Sequence, residues 1–293
     1  MILHYSLPAV IPYIDWHYFF HAWGFPPRFA EIAISCACDE CRSRWIDGFP
    51  SEERTRAAEA DRLMSDALEM LSRVADAYQT HVLFDLYPCY SEGDDIMLRD
   101  PRDAQLPPTR LAMLRQQHPP FLCLADFIGQ DSTIGLFAST VDEAFEQMFA
   151  DSDSYRHMLA QTLADRLAEA ATERAHEEIR RKIWGYAPDE HLSISQLHAA
   201  KYQGIRPAIG YPSLPDQSLI FDIDRLLNLS TIGIRLTENG AMLPHASVCG
   251  LMLSHPQATY FGIGKIGEDQ LQDYAKRRKT TPNSLRPFLS GLT

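Results

Sequence analysis

Three groups of residues in this 293-residue chain carry side chains that could do chemistry, and each asks for a different reaction. The stretch Tyr260-Phe-Gly-Ile-Gly-Lys-Ile-Gly-Glu-Asp-Gln270 contains G-x-G-x-x-G between an apolar run and a charged, helix-like run, the outline of a dinucleotide fingerprint. Cys36, Cys38 and Cys41 stand at a thiolate-ligand spacing, one ligand short of a tetrahedral metal site that Cys89 or a histidine would have to complete. Arg206-Pro-Ala-Ile-Gly210-Tyr211-Pro-Ser-Leu-Pro215-Asp216 places a fixed cation at the head of a loop too rich in proline and glycine for regular structure. Asp15, alone in the aromatic run Tyr13-Ile-Asp15-Trp16-His-Tyr-Phe19-Phe20, reads either as a helix cap or as a carboxylate aimed at a ligand cation.

The dinucleotide reading fails on the residues beyond the glycines. A second strand should carry an acidic residue about 20 positions on to hold the ribose, yet no Asp or Glu occurs after Asp273 and only 26 residues remain after Gly267. Gly262 and Gly264 are better explained by close packing or ligand approach within a strand. A lone C-x-x-C argues for reduced, structurally incidental cysteines, with metal-dependent redox chemistry at Cys36, Cys38 and Cys41 the less favoured reading. No H-E-x-x-H, G-x-S-x-G or phosphate-binding loop occurs.

Periodicity gives the elements that must position these groups. Helices are expected over 51–78, where Leu63, Ala67, Leu71, Val74 and Tyr78 share a face, over 153–184, over 222–228 and over 268–279. Strands are expected at 81–87, 96–98, 121–125, 133–138, 232–237, 248–254 and 258–263. Composition is that of a globular protein, with no signal peptide and no apolar run near the roughly 20 residues of a membrane span, so a cytoplasmic protein is expected. A net charge of −12 argues against nucleic acid as a partner. Arg180-Arg181-Lys182 and Lys276-Arg277-Arg278-Lys279 sit where cations complement a helix C-terminus, and each reads as a solvated helix end; together they offer a docking patch for an acidic protein.

The Arg206 loop resembles the R-P-A-P-G-Y-P-A-C-P-(D/E)-H loop of the C-terminal reactivation domain of cobalamin-dependent methionine synthase. Ordered similarities run over residues 12 to 280: Tyr13-Ile-Asp-Trp16 with Phe19-Phe20, Gly93-Asp-Asp-Ile96, Cys123-Leu-Ala-Asp-Phe127, Leu163 to Ala170 with His176, Trp184 to Pro188, Leu236-Thr-Glu238, Ala246-Ser-Val248, Ser254-His-Pro256, Tyr260-Phe261, Asp269-Gln270 and Asp273-Tyr-Ala275. The resemblance implies one α+β domain over 1–293, C-shaped, with a twisted antiparallel sheet flanked by helices; residues 25–51, which hold the cysteines, have no counterpart. It implies an S-adenosyl-L-methionine site at Asp15, Arg206, Pro207, Ala208, Gly210, Tyr211, Tyr260 and Phe261. A planar guanidinium suits the ligand carboxylate and Asp15 its ammonium, while Tyr260 and Phe261 offer ring faces or backbone groups.

The implied activity is support of reductive methylation of cob(II)alamin to methylcobalamin. A flavodoxin-like donor supplies the electron, and the cobalamin sits on a partner protein. No catalytic side chain is assigned, because the corrinoid is itself the nucleophile and the module contributes orientation and proximity. The corrinoid-binding D-x-H-x-x-G loop is missing, since the glycine is absent after Asp15-Trp-His17, and Met1 lies close before Tyr13; the module is therefore expected to act in trans on the cobalamin-binding domain of a split methionine synthase or a related corrinoid protein. The other reading is a non-catalytic accessory, chaperone or sensor for another corrinoid methyltransferase. Departures from the family loop are Ile209 for Pro, Ser213-Leu214 for Ala-Cys, Gln217 for His, and Ala200 for the Glu six residues before the arginine.

Overall fold

In a computed structural model of the chain, residues 1–34, 38–101, 103, 105–289 and 291–292 are described. Among them, six strands form one antiparallel sheet: β1 (Ile2–Ser6), β2 (Gln79–Glu92), β3 (Asp95–Leu98), β4 (Thr109–Ala112), β5 (Ser132–Val141) and, after the short pair β6 (Arg235–Leu236) and β7 (Met242–Leu243), β8 (Ser247–Leu253). The order is β4-β3-β2-β5-β8, with β1 also on β2. The length of β2 lets it take β1 at Gln79–Leu83 and β3 at Cys89–Glu92 on one side and β5 along most of the other. This is the α+β fold that the sequence predicts, a curled antiparallel sheet with helices on its faces.

The central strands are buried on both faces, so their alternation separates two cores rather than core from solvent. Val82 and Phe84 of β2, Phe137 and Val141 of β5, and Met252 of β8 face the helices Arg54–Val74 and Ser154–Glu178. Leu83, Tyr87, Leu136, Ala138, Cys249, Leu251 and Leu253 face the helix Leu219–Leu227. A third, smaller core forms under the C-terminal helix Glu268–Arg277. Ser154–Glu178 buries Ala160, Ala164, Ala168, Ala171 and Ala175, small side chains that let its axis approach the sheet.

The predicted helices are present, three of them with shorter ends, while the one expected over 222–228 starts earlier, at Leu219. Three predicted strands are not as expected. Residues 121–125 turn instead of extending: Phe121 has φ 60°, and Leu124–Phe127 is a 3-10 turn. Asp126 causes this, because it accepts the Cys123 amide at 2.8 Å while Arg115 grips both its oxygens at 2.6 and 2.8 Å. Residues 258–263 belong to no strand, and of 232–237 only Arg235–Leu236 is strand. The β1 and β4 strands have no strong alternation and are not legible in the sequence.

Both basic clusters are corrected by the structure. Arg180 is fully buried against Glu190, Nε to Oε1 3.0 Å. Arg277 and Arg278 turn inward: Arg277 pairs with Asp95 and Asp273, and Arg278 pairs with Asp222 and donates to Ser218 Oγ at 3.0 Å. These arginines are internal struts, which removes them from any docking patch. Of the cysteines, Cys36 lies outside the described residues. Cys38 caps the helix Asp39–Asp47, while Cys89 is buried in β2. No group of three metal-ligating side chains occurs among the described residues.

Candidate functional site

The segment 205–209 covers the free edge of β8. Ile205 N and Leu253 O are 2.9 Å apart, Leu251 N donates to Pro207 O at 3.0 Å, and Ile209 N to Cys249 O at 2.9 Å. Contact this close requires glycine on the strand: a Cβ at Gly250 would lie 2.3 Å from Pro207 O and 2.8 Å from Ala208 Cα. Gly204 makes the entry turn at φ 82°, where a Cβ would stand 2.2 Å from Leu253 O. The exit is fixed at the buried Asp216, which accepts from Ser218 N and Oγ at 2.8 and 2.7 Å and from the Tyr274 hydroxyl at 2.6 Å. The loop is thus rigid at both ends.

Arg206 projects from this segment toward the long helix and pairs with the buried Glu173. Burial, the largest single influence, would lower the guanidinium pKa, but the charge and hydrogen bond of Glu173 together with Tyr202 and Tyr260 outweigh it and raise the value, so Arg206 is a fixed cation. Its backbone N–H donates to the Tyr260 hydroxyl at 2.9 Å, and that hydroxyl lies 3.2 Å from the Tyr202 hydroxyl. Beneath them Arg180 lies over the Tyr202 ring, 4.3 Å from its centroid. Arg206 Nε and Glu173 Oε1 are buried with no protein partner among the described residues. One is a donor and the other an acceptor, so together they suit a zwitterionic ligand such as the amino-acid end of S-adenosylmethionine.

The other expected site residues are spread around this pair. Asp15 caps the helix Trp16–Ala22, accepting the His17 amide through Oδ1 at 3.0 Å. The cap reading is realised, and 21% of the side chain remains exposed. Its neighbour Tyr13 donates to Glu177 Oε2 at 2.7 Å, which puts this segment on the same long helix one turn from Glu173. Pro207 is buried and Ala208 half-buried on β8. Gly210 has φ 85°, and Tyr211, half exposed, reaches Glu169 at 3.3 Å. Tyr260 is 42% exposed. Phe261 parts from it: its ring lies 6.4 Å from that of Phe127, in the second core, and its amide donates to Ser213 Oγ at 3.0 Å. Arg206 and Tyr260 are therefore joined directly, Asp15 and Tyr211 only by way of the long helix.

Two members of the group, Glu173 and Tyr202, are not identified from sequence. The available signal for Glu173 is a carboxylate in the alanine-rich stripe Ala170-Ala-Thr-Glu173-Arg-Ala175, a face expected to be apolar. His176, one turn on, is fully buried with its ring edge-on to Tyr202, centroids 4.8 Å apart. Burial, reinforced by the charges of Arg180 and Arg206, holds its pKa well below the usual 6.5. The unfolded chain takes up a proton here that the folded one does not, so this contribution to stability is complete above pH 6.5 and is lost as pH falls below it. Between about pH 6.5 and 5, wild-type stability from urea unfolding is expected to fall more steeply than that of His176→Gln, by up to about 1.4 kcal/mol per pH unit. Parallel slopes would exclude a buried neutral ring.

A curled antiparallel sheet that carries an anchored arginine, a tyrosine hydroxyl and buried unpaired donor and acceptor atoms defines an α+β module with a candidate ligand site. The profile of the family described as "Vitamin B12 dependent methionine synthase, activation domain" matches residues 6–279. A solved structure, the crystal structure of the MetH reactivation domain bound to AdoHcy, superposes with a TM-score of 0.85 at 33% identity, over 100% of this chain and 89% of that one. The chain belongs to the activation-domain family of vitamin B12 dependent methionine synthases.

Proposed function

We propose that this protein binds S-adenosyl-L-methionine at Arg206, with Pro207, Ala208, Gly210, Tyr211, Tyr260, Phe261 and Asp15 around it, and presents it to a cobalamin-binding partner. The observation that carries the reading is the Arg206–Glu173 pair, which fixes the cation yet leaves Arg206 Nε and Glu173 Oε1 unbonded to protein. Arg206 holds the ligand carboxylate, and Glu173 and Asp15 supply the negative charge that its ammonium and sulfonium require. The Tyr260 ring gives the adenine a half-exposed face, whereas Phe261 contributes through its main chain and by filling the core behind. The bound molecule supplies an electrophilic methyl group; the protein sets its position and keeps it beside charges that do not move.

The partner is the cobalamin-binding domain of a split methionine synthase or a related corrinoid protein, acting with a flavodoxin-like electron donor in the cytoplasm. Isothermal calorimetry is expected to show one S-adenosylmethionine per chain; no heat would overturn the binding reading. Methylcobalamin should then form from cob(II)alamin on a separate cobalamin-binding domain when reductant, this protein and S-adenosylmethionine are all present. Binding without methylation would instead assign the protein as an accessory or sensor.

A further inference from the structure

Away from the Arg206 group, two histidines meet across β1 and β2. His4 and His81 are register partners in the antiparallel pair, so their side chains stand on one face of the sheet. Their Nδ1 atoms are 2.7 Å apart, and the rings are nearly perpendicular at 79°. On the other side of His81, Nε2 lies 2.7 Å from Asp142 Oδ1, and Asp142 Oδ2 accepts the Gln79 amide at 2.7 Å. A carboxylate held in this way keeps the His81 proton on Nε2 and leaves the Nδ1 lone pair aimed at His4. One proton, on His4 Nδ1, joins the two rings. The pair opens on a cavity of about 290 Å³, which Glu143, Thr231 and Pro244 also line.

We propose that His4 and His81 form a site for a divalent transition-metal cation of the Zn²⁺ type, with both Nδ1 atoms as ligands. Two imidazole nitrogens brought face to face suit zinc and its neighbours once the proton between them is displaced, and a carboxylate behind one of them is the arrangement that orients a ligating histidine. With Zn–N bonds of about 2.0–2.1 Å at a tetrahedral angle, the two nitrogens stand roughly 3.4 Å apart. The observed pair, 2.7 Å apart, therefore opens by about 0.7 Å to reach that separation, which the exposed His4 permits. The cation takes the place of the proton between the rings: His4 gives up the Nδ1 proton and takes one from solvent at Nε2, so both rings bind as neutral imidazoles. Among the described residues no third side chain completes the set, so water fills the remaining positions and the ion exchanges readily. A bound ion cross-links the N-terminal strand to β2 and raises the melting temperature with the logarithm of the free ion concentration above its dissociation constant.

Titration with Zn²⁺ and Cu²⁺ tests this, in protein carrying Cys36→Ser, Cys38→Ser and Cys41→Ser so that thiolates do not compete. One ion per chain is expected, with a Cu²⁺ electron paramagnetic resonance spectrum that reports two nitrogen ligands. His4→Gln, a change at an exposed position, should abolish both, and His81→Phe should do the same. Asp142→Asn should weaken binding by about 10- to 100-fold without removing it. Absence of stoichiometric binding, or binding undiminished in His4→Gln, would overturn the proposal and leave the pair as a hydrogen-bonded brace between strands.

Discussion

Arg206→Ala is expected to abolish measurable S-adenosylmethionine binding while the protein remains folded. Truncating one member of a buried, hydrogen-bonded charge pair costs about 2–5 kcal/mol in affinity, a factor of roughly thirty to several thousand. Here the loss is doubled in kind. The ligand loses its planar cation, and Glu173, otherwise paired and 6% exposed, is left to face the ligand carboxylate as an uncompensated like charge. Arg206→Lys keeps the charge without the fork and should recover only part of the affinity. Glu173→Gln keeps the volume and a hydrogen bond but frees the guanidinium, so its effect should be the smaller of the two. Calorimetry on all three, with circular dichroism as a check on folding, makes the comparison; wild-type affinity in Arg206→Ala would move the site elsewhere.

Arg180→Ala is expected to have the largest effect on stability. Its side chain is fully buried and its partner Glu190 only 10% exposed, so truncation strands a carboxylate in a low-dielectric environment and removes the cation over the Tyr202 ring. Breaking such a pair costs about 3–5 kcal/mol, whereas replacing both members by apolar side chains of similar size is often neutral. Urea unfolding should therefore show a large loss for Arg180→Ala and substantial recovery in the double variant Arg180→Met, Glu190→Leu. A single variant within about 1 kcal/mol of wild type would show that water reaches the pair. Because Tyr202 lies between Arg180 and the Tyr260 hydroxyl, ligand affinity should fall as well, although Arg180 touches no ligand.

What the chain discloses before folding divides by the range of the interactions involved. The long helix is legible because Leu159, Leu163 and Leu167 recur at its own period, and its start and stop are written in Asp153 and Gly185. Strand β5 is legible because Thr133-Ile-Gly-Leu-Phe-Ala138 is apolar throughout, as a strand with a core on each side must be. By contrast, Cys123-Leu-Ala-Asp-Phe127 looks equally strand-like, and a bidentate contact from Arg115 to Asp126 turns it into a 3-10 turn. The basic clusters mislead for the same reason. A helix-end rule looks no further than one turn, while the partners of Arg277 and Arg278 lie 182 and 56 residues away, at Asp95 and Asp222.

By itself, the sequence determined the family, the long helices and the central strands, and it nominated the motif residues of the proposed site, because the order of motifs and the side-chain periods are properties of the chain alone. Only the tertiary structure decided which polar residues act together. Glu173 reaches Arg206 across 33 residues, and Tyr260 reaches it across 54. A carboxylate within an alanine stripe becomes an anchor only when the packing of helix on sheet brings a guanidinium to it. The same packing turns Phe261 into the core, beside a tyrosine that stays half exposed, and so separates two adjacent aromatics into a wall and a contact.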